Sequence, residues 1–157
     1  MKRTAFYPLF GLAALALATP GRAATDRYYT LINADATHAQ FADDNAKRSA
    51  DGTVRLSLLT VPSASAIAYS ISEVTINCAS LKSRTLSTTS YTADGRASLP
   101  APGEPEAIAI QPGTLGMVLK NYLCDGIDPY PRSKTFKSLQ DALDRGHDLI
   151  TTAAAEK

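Results

Sequence analysis

Side chains able to do chemistry are few in this chain, and they are scattered. His38 and His147 lie far apart, and neither has a His or Cys partner at metal-ligand spacing. Each is read as a solvated histidine. Serine and threonine are abundant, yet Gly-x-Ser-x-Gly and Ser-x-x-Lys are both absent. The Ser/Thr-rich run 83–92 reads instead as the solvent face of an antiparallel strand. Asp43-Asp44-Asn45 hints at a calcium loop, but Lys47 and Arg48 stand where that motif needs an oxygen ligand and a glycine. Solvated charge is the better reading. Glu73, Glu104 and Glu106 are the only glutamates before the tail, and paired-carboxylate chemistry needs a defined separation across a cleft. No catalytic, cofactor or metal-binding residue is assigned, and a non-enzyme is expected.

The two cysteines, Cys78 and Cys124, carry the one strong chemical statement. Their meaning depends on the amino terminus. Lys2 and Arg3 precede an apolar run from Phe6 to Ala18, broken by Thr19-Pro20-Gly21. Small residues at Gly21 and Ala23 predict a signal peptide over residues 1–23, cleaved between Ala23 and Ala24. A cut after Ala18 is the alternative. The run is about 13 residues, short of the roughly 20 that span a bilayer, and no Cys follows it for lipidation. Export places the sulfurs in an oxidising compartment, where two cysteines allow one intramolecular pairing. Closing the loop from 78 to 124 removes roughly 4 kcal/mol of denatured-state entropy in the simple chain model. The competing reading, a reactive thiol, would want a Cys-x-x-Cys motif, which is missing.

Charge excludes further classes. Cleavage removes Lys2, Arg3 and Arg22 and no acid, so 16 basic residues become 13 against 15 acidic, a formal −2. Neither a basic stripe for nucleic acid nor a polybasic membrane patch is present. No stable membrane anchor is expected after signal removal.

The elements that must position these residues follow from periodicity. Strands are expected over 27–32, 39–43 and 53–61, the last alternating cleanly through Val54, Leu56 and Leu58. Between them, 43–52 reads as a surface loop ending in Asp51-Gly52. The β segment 67–79 changes phase: Ile67, Tyr69 and Ile71 are odd, whereas Val74, Ile76 and Cys78 are even. A bulge near Ser72-Glu73 is the favoured explanation, with burial of both faces as the alternative. Arg84 to Thr92 is a further strand. Three prolines make 99–105 a loop, and 107–110 a last short strand. Thr114 is a candidate N-cap for a helix carrying Leu115, Val118, Leu119 and Tyr122, ended by Asp125-Gly126. After the rigid Asp128-Pro129-Tyr130-Pro131, Phe136, Leu139, Leu143, Leu149 and Ile150 mark an amphipathic helix, with 151–157 frayed. Tyr28, Tyr29, Tyr69, Tyr91, Tyr122 and Tyr130 suit either a binding surface or the rim of a small core.

The ordered set Ile76-Asn77-Cys78, Arg84, Tyr91-Thr92-Ala93-Asp94-Gly95, Ile110-Gln111-Pro112-Gly113-Thr114 and Tyr122-Leu123-Cys124 resembles the bacterial surface-adhesin protein E family. Phe41-Ala42-Asp43 and Asp51-Gly52-Thr53-Val54 are also similar, so the likeness covers about residues 26–126. It implies an antiparallel sheet with a helix disulfide-tethered across it, export to the envelope, no enzymatic activity, binding of host matrix and serum proteins, and the capacity to form a homodimer. The chain departs from the family in having no lipid-attachment Cys, no Trp before Pro112-Gly113, and an extra helix after Pro131.

The resulting expectation is an α+β fold, an antiparallel β-sheet with a C-terminal helix packed on it and tethered by a disulfide. Residues 24–126 form the sheet-plus-helix domain, and 127–157 the connector and additional helix. The expected function is a periplasmic, secreted or cell-surface protein, adhesin-like, binding a protein partner and no nucleic acid. The alternative is a periplasmic inhibitor or accessory subunit of an envelope enzyme, acting through a protruding loop at Leu99 to Glu106.

Overall fold

The computed structural model describes residues 27–131 and 135–156; the expected signal peptide and its Ala23–Ala24 cleavage site lie outside them. The strands are β1 (Tyr29–Ala34), β2 (His38–Asp43), β3 (Lys47–Arg48), β4 (Thr53–Pro62), β5 (Tyr69–Asn77), β6 (Lys82–Tyr91), β7 (Ala101–Pro102) and β8 (Ile108–Ala109). Two helices follow, α1 (Leu115–Asp125) and α2 (Leu139–Ala155). All strands join one antiparallel sheet in the order β1-β2-β4-β5-β6-β7, with β3 also on β4 and β8 also on β6.

Strand β4 shows why the sheet needs two covers. Val54, Leu56 and Leu58 point to one face, and Leu59 and Val61 to the other; all five are buried. On the first face they meet Ile32, Ala42, Val74, Ile76, Ile110 and Leu119 of α1. On the second they join Tyr29, Leu31, Ala39 and Phe41 with Ala142 and Ile150 of α2. The described chain therefore holds two apolar clusters, back to back across one sheet.

This arrangement corrects the bulge expected near Ser72-Glu73. Strand β5 pairs with β4 without a break from Thr53↔Asn77 to Thr60↔Ser70. Tyr69 and Ile71 pack on the α2 side, Val74 and Ile76 on the α1 side. What changes along β5 is which face is covered, not the backbone phase. The irregularity sits in β6, where Ser87 opposes Glu73 and Thr85 opposes Val74, leaving Leu86 extra. The carbonyl of Leu86 accepts from the Gly103 amide at 3.0 Å. A Cβ on Gly103 would lie 1.9 Å from the Thr85 carbonyl oxygen, so only glycine fits there.

The segment 97–110 straps the outer edge of β6 through β7, β8 and these bonds, which suits its prolines. Strand β3, two residues long, breaks up what reads in sequence as a plain loop over 43–52.

Helix α1 starts at Thr114, but its hydroxyl donates to the Gln111 carbonyl and leaves the helix uncapped by a side chain. Gly126 closes it in the left-handed conformation. The Cys78–Cys124 disulfide is formed, joining the end of β5 to the last turn of α1. Helix α2 is capped by Ser138, whose Oγ accepts from the Asp141 amide at 3.1 Å. It remains helical to Ala155, so the expected fraying from Thr151 does not occur. Just before it, Phe136 bridges to Tyr29 and stands edge-on to Phe41, ring centroids 5.6 Å apart.

Candidate binding surfaces

A helix is about 10 Å wide, whereas a ten-residue strand such as β4 runs about 33 Å. One helix cannot cover one face. Helix α1 sits over the Val54–Leu58 part of β4 and α2 over the Leu59–Val61 part of the opposite face. Each face therefore keeps an open half, and the two halves differ in chemistry.

On the α1 face the open half is neutral and polar. Register aligns Asn33 with Gln40, Gln40 with Thr60, Thr60 with Ser70, and Ser70 with Ser90. These five side chains form one row across five strands. Beside it, Ser72 and Thr88 share a hydroxyl–hydroxyl bond of 2.8 Å. The Asn33 carboxamide donates to Gln40 Oε1 at 3.4 Å and reaches His38 Nε2 at 3.3 Å. Cross-strand bonds of this kind restrict the side chains that make them.

His38 is half-buried and bonded rather than solvated. The Thr37 hydroxyl donates to Asp35 Oδ1 at 2.5 Å and lies 2.8 Å from His38 Nδ1. With its proton on Asp35, that hydroxyl accepts from Nδ1–H, and Nε2 accepts from Asn33. The Thr37 bonds also hold the Asp35 carboxyl below its usual range. His147 lies apart, on the exposed side of α2.

On the α2 face the open half is a charged cleft of 520 Å³, lined by Arg27, Asp43, Asn45, Lys47, Arg55, Leu56, Ser57 and Glu73. Asp43 is buried, which corrects its reading as solvated charge. Its Oδ1 accepts from the Asn45 amide at 2.9 Å and from Asn45 Nδ2 at 3.0 Å, and its Oδ2 lies 3.5 Å from Arg27. Glu73 accepts from Ser57 Oγ at 2.7 Å and Arg55 Nε at 3.1 Å. Of the other glutamates, Glu104 accepts from the Thr85 amide and Glu106 is exposed.

Tyr29, Tyr69, Tyr91 and Tyr130 lie on the α2 side of the sheet, whereas Tyr122 and Tyr28 do not join them. Tyr29 is in the α2-side core, and burial, reinforced by Asp43, raises its phenol. Tyr69 and Tyr91 stack at 4.5 Å, and Tyr69 is likewise raised by burial first. Tyr122 donates to Asp44 Oδ1 at 3.0 Å, tying α1 to the end of β2. Tyr28 is exposed.

Neither the row nor the cleft stands out in the sequence. Residues 33, 40, 60, 70 and 90 share no spacing, and only strand register aligns them. The one available signal was that strands apolar on one side carried Ser, Thr, Asn or Gln on the other. No helix among the described residues is long and apolar enough to cross a membrane, and no group of three His, Cys, Asp or Glu side chains there could hold a metal ion. No family model, curated protein or solved structure matches the chain.

Proposed function

We propose that this chain is an exported, non-enzymatic protein of the cell envelope, adhesin-like and akin to the surface-adhesin protein E family, that binds another macromolecule through the neutral open half of its sheet. The observation that carries this reading is the five-strand row Asn33–Gln40–Thr60–Ser70–Ser90. It is broad, with Asn33 bonded to Gln40 inside it and Ser72 to Thr88 beside it, which suits a docking surface. The disulfide supports residence outside the cytoplasm. Thr60→Lys with Ser70→Lys would place two like charges on adjacent, in-register positions. The mature protein is expected to retain matrix proteins or components of its own envelope extract in a pull-down, and the double variant to lose them. Silence from both sources, or equal retention by the variant, counts against the reading.

The inhibitor alternative draws on Leu99, 90% exposed at the head of the edge strap. The strap beyond it is pinned by Gly103 and by Arg84 Nε donating to the Glu104 carbonyl at 2.8 Å. Only the Leu99 end is therefore free to enter a cleft. If this alternative is correct, Leu99→Ser abolishes inhibition of an envelope enzyme while matrix binding, where present, survives.

A further inference from the structure

The charged cleft on the α2 face has unequal hydrogen-bonding capacity. Every oxygen of Asp43 and Glu73 already faces a donor: Asn45 and Arg27 for Asp43, Ser57 and Arg55 for Glu73. The cations are not used up to the same degree. Lys47 makes no side-chain hydrogen bond or ion pair within the described residues. Arg55 bonds Glu73 through Nε alone, leaving both terminal nitrogens of its fork unengaged by described residues. Arg27 reaches Asp43 at 3.5 Å and also bonds the Tyr29 phenol, so it is the most engaged of the three. Three cations against two carboxylates leave a local surplus of one positive charge.

A cleft with spare charged donors and one excess positive charge is complementary to a single anionic oxygen pair. We propose that it binds a carboxylate carried on a small polar body, with the carboxylate between Lys47 and the Arg55 fork and the body against Ser57 and Asn45. Lys47 and Arg55 are paired in register across β3 and β4, so their side chains leave the same face together. An arginine fork matches a carboxylate in two-point geometry, and the lysine adds a point charge. The 520 Å³ volume exceeds what a bare carboxylate occupies, leaving room for its carrier. This site is separate from the neutral row, because Ser57 and Glu73 point to the opposite face from Thr60 and Ser70.

The test is an amide chemical-shift titration of the mature protein with sodium glucuronate at constant ionic strength, with glucose, acetate and sulfate as parallel arms. Saturable shifts at residues 45–57 and 73 are expected with glucuronate and none with glucose. Acetate should compete for the same amides, because the carboxylate is the recognised group. Lys47→Gln keeps most of the stem and breaks no ion pair in the described fold, and it should weaken glucuronate roughly tenfold. Thr60→Lys, on the other face, should leave the titration unchanged, so failure of the macromolecular reading and failure of this one are distinguishable. Linear shifts without saturation, equal response to glucose, tighter binding of sulfate than of glucuronate, or wild-type affinity in a folded Lys47→Gln protein each overturns the proposal.

Discussion

The two helices solve the same problem by different means. Helix α1 is short, has Leu119 as its only fully buried residue and lacks a side-chain cap, yet a covalent bond from Cys124 to Cys78 holds it to the sheet. Arg48 adds a bond from its guanidinium to the Leu123 carbonyl at 2.8 Å. Helix α2 has no such bond. It is longer, is capped by Ser138, and places Ala142, Gly146 and Ile150 against β2 and β4. A helix that buries little needs its denatured-state freedom reduced by a crosslink. A helix that buries more can rely on close packing.

The comparison breaks most visibly at the crosslink. Cys78→Ser with Cys124→Ser should cost up to about 4 kcal/mol, read by urea unfolding. Native-state hydrogen exchange should show α1 opening while α2 stays protected. If both helices lose protection together, the independence of the two attachments is wrong. Next in size is Gly146. A Cβ there would meet Val61 Cγ2 at 3.0 Å, and Val61 belongs to a strand packed on both sides. Gly146→Val should therefore cost about 2 kcal/mol and open α2 before α1, the reverse order of the cysteine variant.

The caps give a smaller contrast. Ser138→Ala should cost about 1 kcal/mol, whereas Thr114→Ala should cost clearly less, because the Thr114 hydroxyl bonds Gln111 rather than the helix amides. Equal melting shifts would remove that distinction.

The smallest effect concerns acid. Turn bonds from Thr37, Thr53 and Thr92 lower the carboxyls of Asp35, Asp51 and Asp94. A carboxyl lowered in the folded state contributes stability that is present above its unfolded value, near pH 4, and is lost as pH falls through the folded one. Melting temperature should therefore decline below about pH 4. Asp35→Asn removes that contribution where it is present, so it should lower the neutral plateau slightly and make the acid limb correspondingly shallower. A limb unchanged by the substitution sinks the assignment for Asp35.

Several elements were legible from residue order because their causes are local. The alternation of Val54, Leu56 and Leu58 identifies β4, the recurrence of Leu115, Val118, Leu119 and Tyr122 identifies α1, and Gly126 ends it. Strand β3 was hidden, since two residues carry no period and its pairing belongs to β4. The change of phase in β5 was visible, but its cause was not. A bulge and a switch in the covered face leave the same trace in hydrophobicity, and only the unbroken register with β4 separates them. Asp43 looked like one more surface acid, because nothing in Asp43-Asp44-Asn45 says that Arg27 and Asn45 close over it.

Residue order alone therefore established the class of fold, the pairing of Cys78 with Cys124 and the position of each long element. Those depend on side-chain periodicity, turn chemistry and there being only two sulfurs. Tertiary structure decided which half of each face a helix covers, and hence that a neutral row and a charged cleft lie open on opposite sides. Both are products of strand register, a relation between distant segments that no local run of residues encodes.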